Sequence, residues 1–158
     1  MTRLLGVDLG ERRIGLALAD RDGSAAHPLA TIRRSAGRES DVTALRIIVR
    51  RYDVDELVVG LPLEAAGDEG PQAALTRAWA TAVADRLALP LVLRDERLSS
   101  HLAETRLGPM KRGRSGGPPS KVQRDAYRAR VDREAATIIL QDELDARAAA
   151  AAASKATR

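Results

Sequence analysis

The chain has no cysteine and no phenylalanine, and its aromatics are limited to Tyr52, Tyr127 and Trp79. The first absence excludes disulfides, thiol nucleophiles and cysteine-ligated zinc, and it suits a reducing, cytoplasmic setting. Three scattered aromatics cannot build a stacking platform for unpaired bases, so any nucleic-acid contact is expected to read phosphates rather than base faces. No signal-like apolar run follows Arg3, and no stretch approaches the roughly 20 apolar residues that span a bilayer, so no membrane partner is expected. At 158 residues the chain is expected to hold one domain over residues 1–146, followed by an Ala-rich, low-complexity tail over 147–158 expected to be disordered.

Against these absences stands an uneven charge. The net charge is +4, but the stretch from Arg106 to Arg130 holds eight bases against the single acid Asp125, a local +7 that leaves −3 for the remainder. Such concentration fits a polyanion partner, because Lys and Arg that neutralise phosphates release condensed counterions. A solvated charged loop is the plainer alternative.

The opening strand Leu4-Leu5-Gly6-Val7-Asp8-Leu9-Gly10 carries an acid in an apolar run. Burying it unpaired would cost several kcal/mol, so Asp8 needs a cation, hydrogen bonds or a metal beside it, unless it merely caps the turn ahead of Gly10. A hairpin at Gly10 to Arg12 would place Asp8 on the first of two adjacent strands, and Arg13–Ala19 and Ala25–Ile32 read as the next two. Val42, Leu45, Ile48 and Val49 then recur at helical spacing, with Ser40 or Asp41 as N-cap. Leu57-Val58-Val59 is a buried-type strand ended by Gly60-Leu61-Pro62. Leu75, Ala78, Trp79, Ala82, Val83 and Leu87 mark a second amphipathic helix, and Leu91-Val92-Leu93 runs as a strand into Arg94-Asp95-Glu96-Arg97.

Alternating strands and helices imply right-handed parallel crossovers, so the sheet is expected to be mixed, with ligands gathering beyond the carboxyl ends of its parallel strands. The Leu98-Ser99-Ser100 step predicts the N-cap of a helix reaching about Leu107. Gly108 to Ser120 predicts a mobile loop, and a last helix is expected over Asp132–Leu144.

Asp8, Glu96 and Asp132 are thus three carboxylates at element positions that can converge, although spacing alone does not bring them together. Taken singly, Asp132 reads as a helix-dipole or capping acid and Glu96 as an ion-pair partner of Arg94 or Arg97. With no cysteine and no histidine pair, oxygen ligands would select Mg²⁺ or Mn²⁺ over zinc. His101, five residues after Glu96, reads as a surface histidine rather than a proton shuttle, and His27 as a loop or strand-end residue.

Five ordered motifs carry a resemblance: Gly6-Val7-Asp8-Leu9-Gly10 with Arg13-Ile14-Gly15, Val59-Gly60-Leu61-Pro62-Leu63, Asp68-Glu69-Gly70-Pro71-Gln72-Ala73, Asp95-Glu96-Arg97-Leu98-Ser99, and Val131-Asp132 with Ala135-Ala136 and Ile138-Ile139-Leu140-Gln141. From about Leu4 to Leu144 the chain resembles the YqgF family, bacterial proteins named as Holliday junction resolvases and as nucleases maturing the 16S ribosomal RNA precursor. The resemblance implies an α/β, ribonuclease H-like fold: a mixed five-stranded sheet flanked by helices. It implies a metal-dependent endonuclease with Asp8, Glu96 and Asp132 as catalytic residues and ligands of Mg²⁺ or Mn²⁺. It also implies precursor rRNA or branched DNA as partner and a monomer or homodimer. Lys111, Arg112, Arg114, Lys121, Arg128 and Arg130 are the nucleic-acid contacts expected. Between Asp95 and Glu96 the resemblance favours the glutamate. Two departures stand out: Glu64, where relatives commonly show Asn after Gly-Leu-Pro-x, and a longer basic segment over Gly113–Ala126.

Two rivals come from other classes. An actin-like ATPase also opens with an Asp-x-Gly strand and hairpin but needs two such domains. A ribosome-assembly factor could keep the fold and bind RNA without cleaving it.

Overall fold

The computed structural model describes residues 2–35, 37–96 and 99–158. Three strands come first: β1 (Leu4–Leu9), β2 (Arg13–Ala19) and β3 (Ala26–Arg33). They are followed by α1 (Gly37–Tyr52), β4 (Glu56–Leu61), α2 (Pro71–Leu87), β5 (Leu91–Asp95), α3 (Ser99–Leu107) and α4 (Lys121–Ala156). The strands form one sheet in the order β3-β2-β1-β4-β5, antiparallel across β1–β2 and β2–β3 and parallel across β1–β4 and β4–β5. This is the mixed, ribonuclease H-like arrangement expected. The first turn is the anticipated hairpin, closed by the Gly10 amide donating to the Arg13 carbonyl at 2.8 Å.

Both faces of the sheet are covered, which explains why β1, β2 and β4 read as continuous apolar runs rather than alternating ones. On one side Leu5, Val7, Ile14 and Leu16 pack against Val42 and Leu45 of α1 and Trp79 and Val83 of α2. On the other, Leu4, Ala17 and Val58 pack against Ala136, Ile139, Leu140 and Leu144 of α4. Each Leu, Ile or Val among these contributes about 1.5–3 kcal/mol relative to exposure. A third cluster, Ala103 with Val131, Ala135 and Ile138, joins α3 to α4.

The α4 helix crosses its face of the sheet so closely that Gly15 of β2 has no room for a side chain: a Cβ there would collide with the Asp132 backbone carbonyl. The crossing ends at the start of β4, where Arg147 donates to Glu56 at 2.8 and 3.0 Å. The amino-terminal turns of α4 therefore lie near the carboxyl end of β1, where Asp8 pairs with Gly15.

Several expectations are corrected. The last helix begins at Lys121 rather than Asp132, capped by a reciprocal box in which Ser120 Oγ accepts from the Gln123 amide and Gln123 Oε1 from the Ser120 amide. Asp132 is therefore well inside the helix and is neither a cap nor a first-turn acid. The tail expected to be disordered is helical through Ala156, because alanine is the best helix former and extending an established helix avoids the cost of nucleation.

α1 starts at Gly37, so neither Ser40 nor Asp41 is its N-cap. Asp41 is instead buried, accepting from Trp79 Nε1 at 3.0 Å and from Arg34 Nη2 at 2.9 Å. That contact helps set the rotation of α2, whose buried face is Ala73, Thr76, Trp79, Ala80, Val83 and Ala84. Leu75, expected on the apolar stripe, is 66% exposed. Residues 108–120 carry no helix or strand, as read from their glycines and prolines. Leu98, part of the expected α3 cap, lies outside the described residues, as does Arg97. No helix among the described residues is long and apolar enough to cross a membrane.

Candidate active site

Asp8 is the fifth residue of β1, where the strand passes from fully buried to partly exposed positions, and it points to the α4 face. Glu96 follows β5 directly, and its amide donates to the Leu61 carbonyl at 2.9 Å, which extends the β4–β5 ladder by one step. The sheet thus persists through the Asp95-Glu96 pair and sends adjacent side chains to opposite faces. Glu96 is the member of the pair that reaches Asp8, with which it shares a side-chain hydrogen bond. Its approach needs Gly60 at the end of β4: a Cβ there would stand 2.7 Å from Glu96 Oε2. Ser99 Oγ, at the start of α3, donates to Glu96 Oε1.

The electrostatics follow from this crowding. Burial pushes the Asp8 carboxyl well above the usual carboxylate range, and the charges of Glu96 and Asp132 push it the same way. Burial also raises Glu96, against the lowering effect of its hydrogen bonds to Ser99 and Asp8. Each of the two carboxyls therefore holds a proton more readily than a free acid does, the consequence of placing two acids in contact away from water. Asp132, the third acid, is held by Arg13, whose Nε donates to Asp132 Oδ2 at 2.6 Å with both side chains only partly exposed. A cavity of about 340 Å³ opens beside it, lined by Gly10, Glu11, Arg12, Arg13, Arg128 and Asp132.

Asp8, Glu96 and Asp132 are thus neighbours, with Asp8 between the other two in electrostatic terms. Among the described residues no three potential ligands are spaced as a ready metal cage. The donor set still fits a hard divalent cation, since it is all oxygen and, among the described residues, its crowded negative charge is ion-paired at Asp132 with Arg13 while Asp8 and Glu96 face each other.

The expected nucleic-acid contacts divide. Arg128 lines the cavity beside Asp132, whereas Arg130 does not. Lys111, Arg112 and Arg114 are exposed on the 108–120 segment, which is tied to α4 by Gln123 Nε2 donating to the Arg112 carbonyl at 3.2 Å. His101 is exposed on α3, and His27 on β3 meets Asp20 at 3.1 Å, so both are surface groups. Glu64 packs its carboxylate against Gly70, the uncapped N-terminus of α2, where a negative charge is favoured. Two site residues escaped the sequence reading. Arg13 was visible only as a base in a motif and Ser99 only as a capping serine, and neither position signals its acidic partner without the fold.

The family model RuvX, described as Holliday junction resolvase, matches residues 2–146. A protein of Anaeromyxobacter dehalogenans (strain 2CP-C), named as a candidate pre-16S rRNA nuclease, is 45% identical over 146 residues, covering 92% of this chain and 98% of its own. A protein of the same name from Roseiflexus sp. (strain RS-1) is 39% identical over 143 residues, covering 90% and 94%. Among solved structures, T. thermophilus RuvC in complex with a Holliday junction substrate aligns with a TM-score of 0.49 and 15% identity over 93% of this chain and 96% of that one. With the family match spanning almost the whole chain and relatives this similar over nearly their full length, the chain belongs to the RuvX family, the YqgF family of the sequence resemblance.

Proposed function

We propose that the chain is a divalent-metal-dependent endonuclease that hydrolyses phosphodiester bonds in structured nucleic acid, and that its substrate is the 5′ end of the 16S rRNA precursor in the cytoplasm. The observation that carries this reading is the partly buried Asp8–Glu96 pair with Asp132 at its side, next to a cavity lined by Arg12, Arg13 and Arg128. Partly buried carboxylates whose charged forms are disfavoured do not by themselves stabilise a fold, but they suit a cation that offsets their charge. The names of the relatives support the precursor RNA as substrate.

In this reading Asp8, Glu96 and Asp132 would hold Mg²⁺ or Mn²⁺. The ion would lower the pKa of water and polarise the scissile phosphate. The chain's own groups do the rest. Ser99 fixes the Glu96 carboxylate, Gly15 and Gly60 let the acids meet, and Arg13 and Arg128 neutralise the phosphate. The oxygen of a water forms the new P–O bond, the bond to the leaving ribose oxygen breaks, and that oxygen takes up a proton, so no covalent enzyme intermediate is required.

The description of the family model favours a second reading, resolution of branched DNA. Both are tested by incubating the purified chain with labelled 16S precursor and with a four-way DNA junction, with and without Mn²⁺. Metal-dependent cleavage of the precursor alone supports the first substrate, and of the junction alone the second. Binding to either without cleavage in any metal points to a non-catalytic assembly factor and overturns the nuclease assignment.

A further inference from the structure

The first two turns of α4 overhang the β2–β3 end of the sheet and enclose a cavity of about 300 Å³ lined by six cations, Arg12, Arg13, Arg33, Lys121, Arg128 and Arg133, against one acid, Asp125. It adjoins the cavity at Asp132, with which it shares Arg12, Arg13 and Arg128. Its wall is fixed in place: Thr31 Oγ1 donates to the Ala129 carbonyl at 2.6 Å and accepts from Arg133 Nη1 at 3.2 Å, which ties β3 to α4. Among the described residues Arg12, Arg33, Lys121 and Arg128 have no ion-pair partner.

Like charges this dense repel one another, and among the described residues the cleft wall offers Asp125 alone as counter-charge, with Arg13 drawn to Asp132. Lys121 is moreover the first residue of α4, whose first turn holds no acid. A cation there faces the positive end of the helix dipole, an unfavourable arrangement. Stability does not select such a site, but a bound polyanion would relieve it.

We propose that this cleft is a phosphate-binding track for the nucleic-acid strand that flanks the scissile phosphate, running from the carboxylates across Arg12 and Arg128 to Arg33 and Lys121 at the edge of the sheet. The proposal rests on the nucleic-acid reading above and adds where the substrate lies. None of the residues of the 108–120 segment lines the cleft, so the grip does not depend on the basic loop singled out in the sequence. The ligand chemistry is the sugar-phosphate backbone, which RNA and DNA share.

The test is fluorescence anisotropy in excess chelator, so that cleavage does not intervene, with a short labelled RNA duplex and the DNA duplex of the same sequence over a range of salt. Three proteins are compared: the native chain, the double variant Arg33→Ala/Lys121→Ala, and the loop variant Lys111→Ala/Arg112→Ala/Arg114→Ala. The double variant is expected to melt at or above the native temperature, because Lys121 opposes its helix, yet to bind more weakly with a salt slope lower by up to about two units. Arg33→Lys/Lys121→Arg is expected to restore both. A loss on one duplex only supports the track and assigns that nucleic acid to it. Native affinity and slope in the double variant, with the loss confined to the loop variant, overturn the track and leave the nuclease reading standing. No salt-dependent binding by the native chain overturns both.

Discussion

Arg13 Nε donates to Asp132 Oδ2 at 2.6 Å, so the third acid of the site is bound by a guanidinium from β2. The same Arg13 lines both cavities that open beside the carboxylates. It thus offsets Asp132 in the absence of metal and faces the space a phosphate would occupy.

Replacing Arg13 should separate these two tasks. In Arg13→Ala the cation that competes for Asp132 is gone, so Mn²⁺ affinity measured by calorimetry is expected to rise severalfold while cleavage falls through loss of a phosphate contact. Weaker metal binding in the variant would show that Arg13 orients Asp132 rather than competing for it.

Asp8→Asn is expected to abolish cleavage while keeping or raising the melting temperature in metal-free buffer. The sign follows from the raised pKa of the folded state: the fold favours the neutral carboxyl, so stability falls as the pH rises from the ordinary value of 3.8 to the raised one, above which ionised Asp8 carries the full penalty. The advantage of the variant should therefore be full above the folded pKa and vanish as the pH falls below the ordinary value of 3.8. Thermal melts in chelator across that range check it. A variant that fails to fold would make Asp8 structural.

Adjacent acids at the end of β5 should behave differently. Glu96 meets Asp8 and Ser99, whereas Asp95 is exposed and pairs in register with Leu61. Glu96→Gln is expected to remove most metal-dependent cleavage and Asp95→Asn to leave a substantial fraction. The reverse ranking in initial rates would move the site by one residue.

Gly15→Ala tests the closeness of α4 to β2. The added Cβ would run into the Asp132 carbonyl, so the helix must shift, at a cost of about 1–3 kcal/mol in denaturant melts and with loss of cleavage because Asp132 moves with it. Native stability in the variant would mean that α4 gives way freely.

How much of this was legible without coordinates depends on the range of each interaction. The succession of strands and helices, the hairpin at Gly10 and the need of Asp8 for a partner could be read from the chain, because they follow from local period, turn chemistry and the cost of a lone buried acid. The burial of Asp41 under Trp79, the exposure of Leu75 and the true start of α4 at Lys121 could not. A helix has several faces of similar apolarity, and only its neighbours select one.

The sequence by itself determined the alternation of strands and helices, the absence of thiol chemistry, the excess of positive charge between Arg106 and Arg130 and, through its ordered motifs, the family. Only the tertiary structure decided which acids touch, that Arg13 holds Asp132, and that Arg12, Arg33 and Arg133 join Lys121 and Arg128 in one cleft. These residues lie up to 121 positions apart, from Arg12 to Arg133. Pattern along a chain reports contacts within a few residues, whereas electrostatic fields depend on distance in space, which is set when α4 packs across the glycines of the sheet.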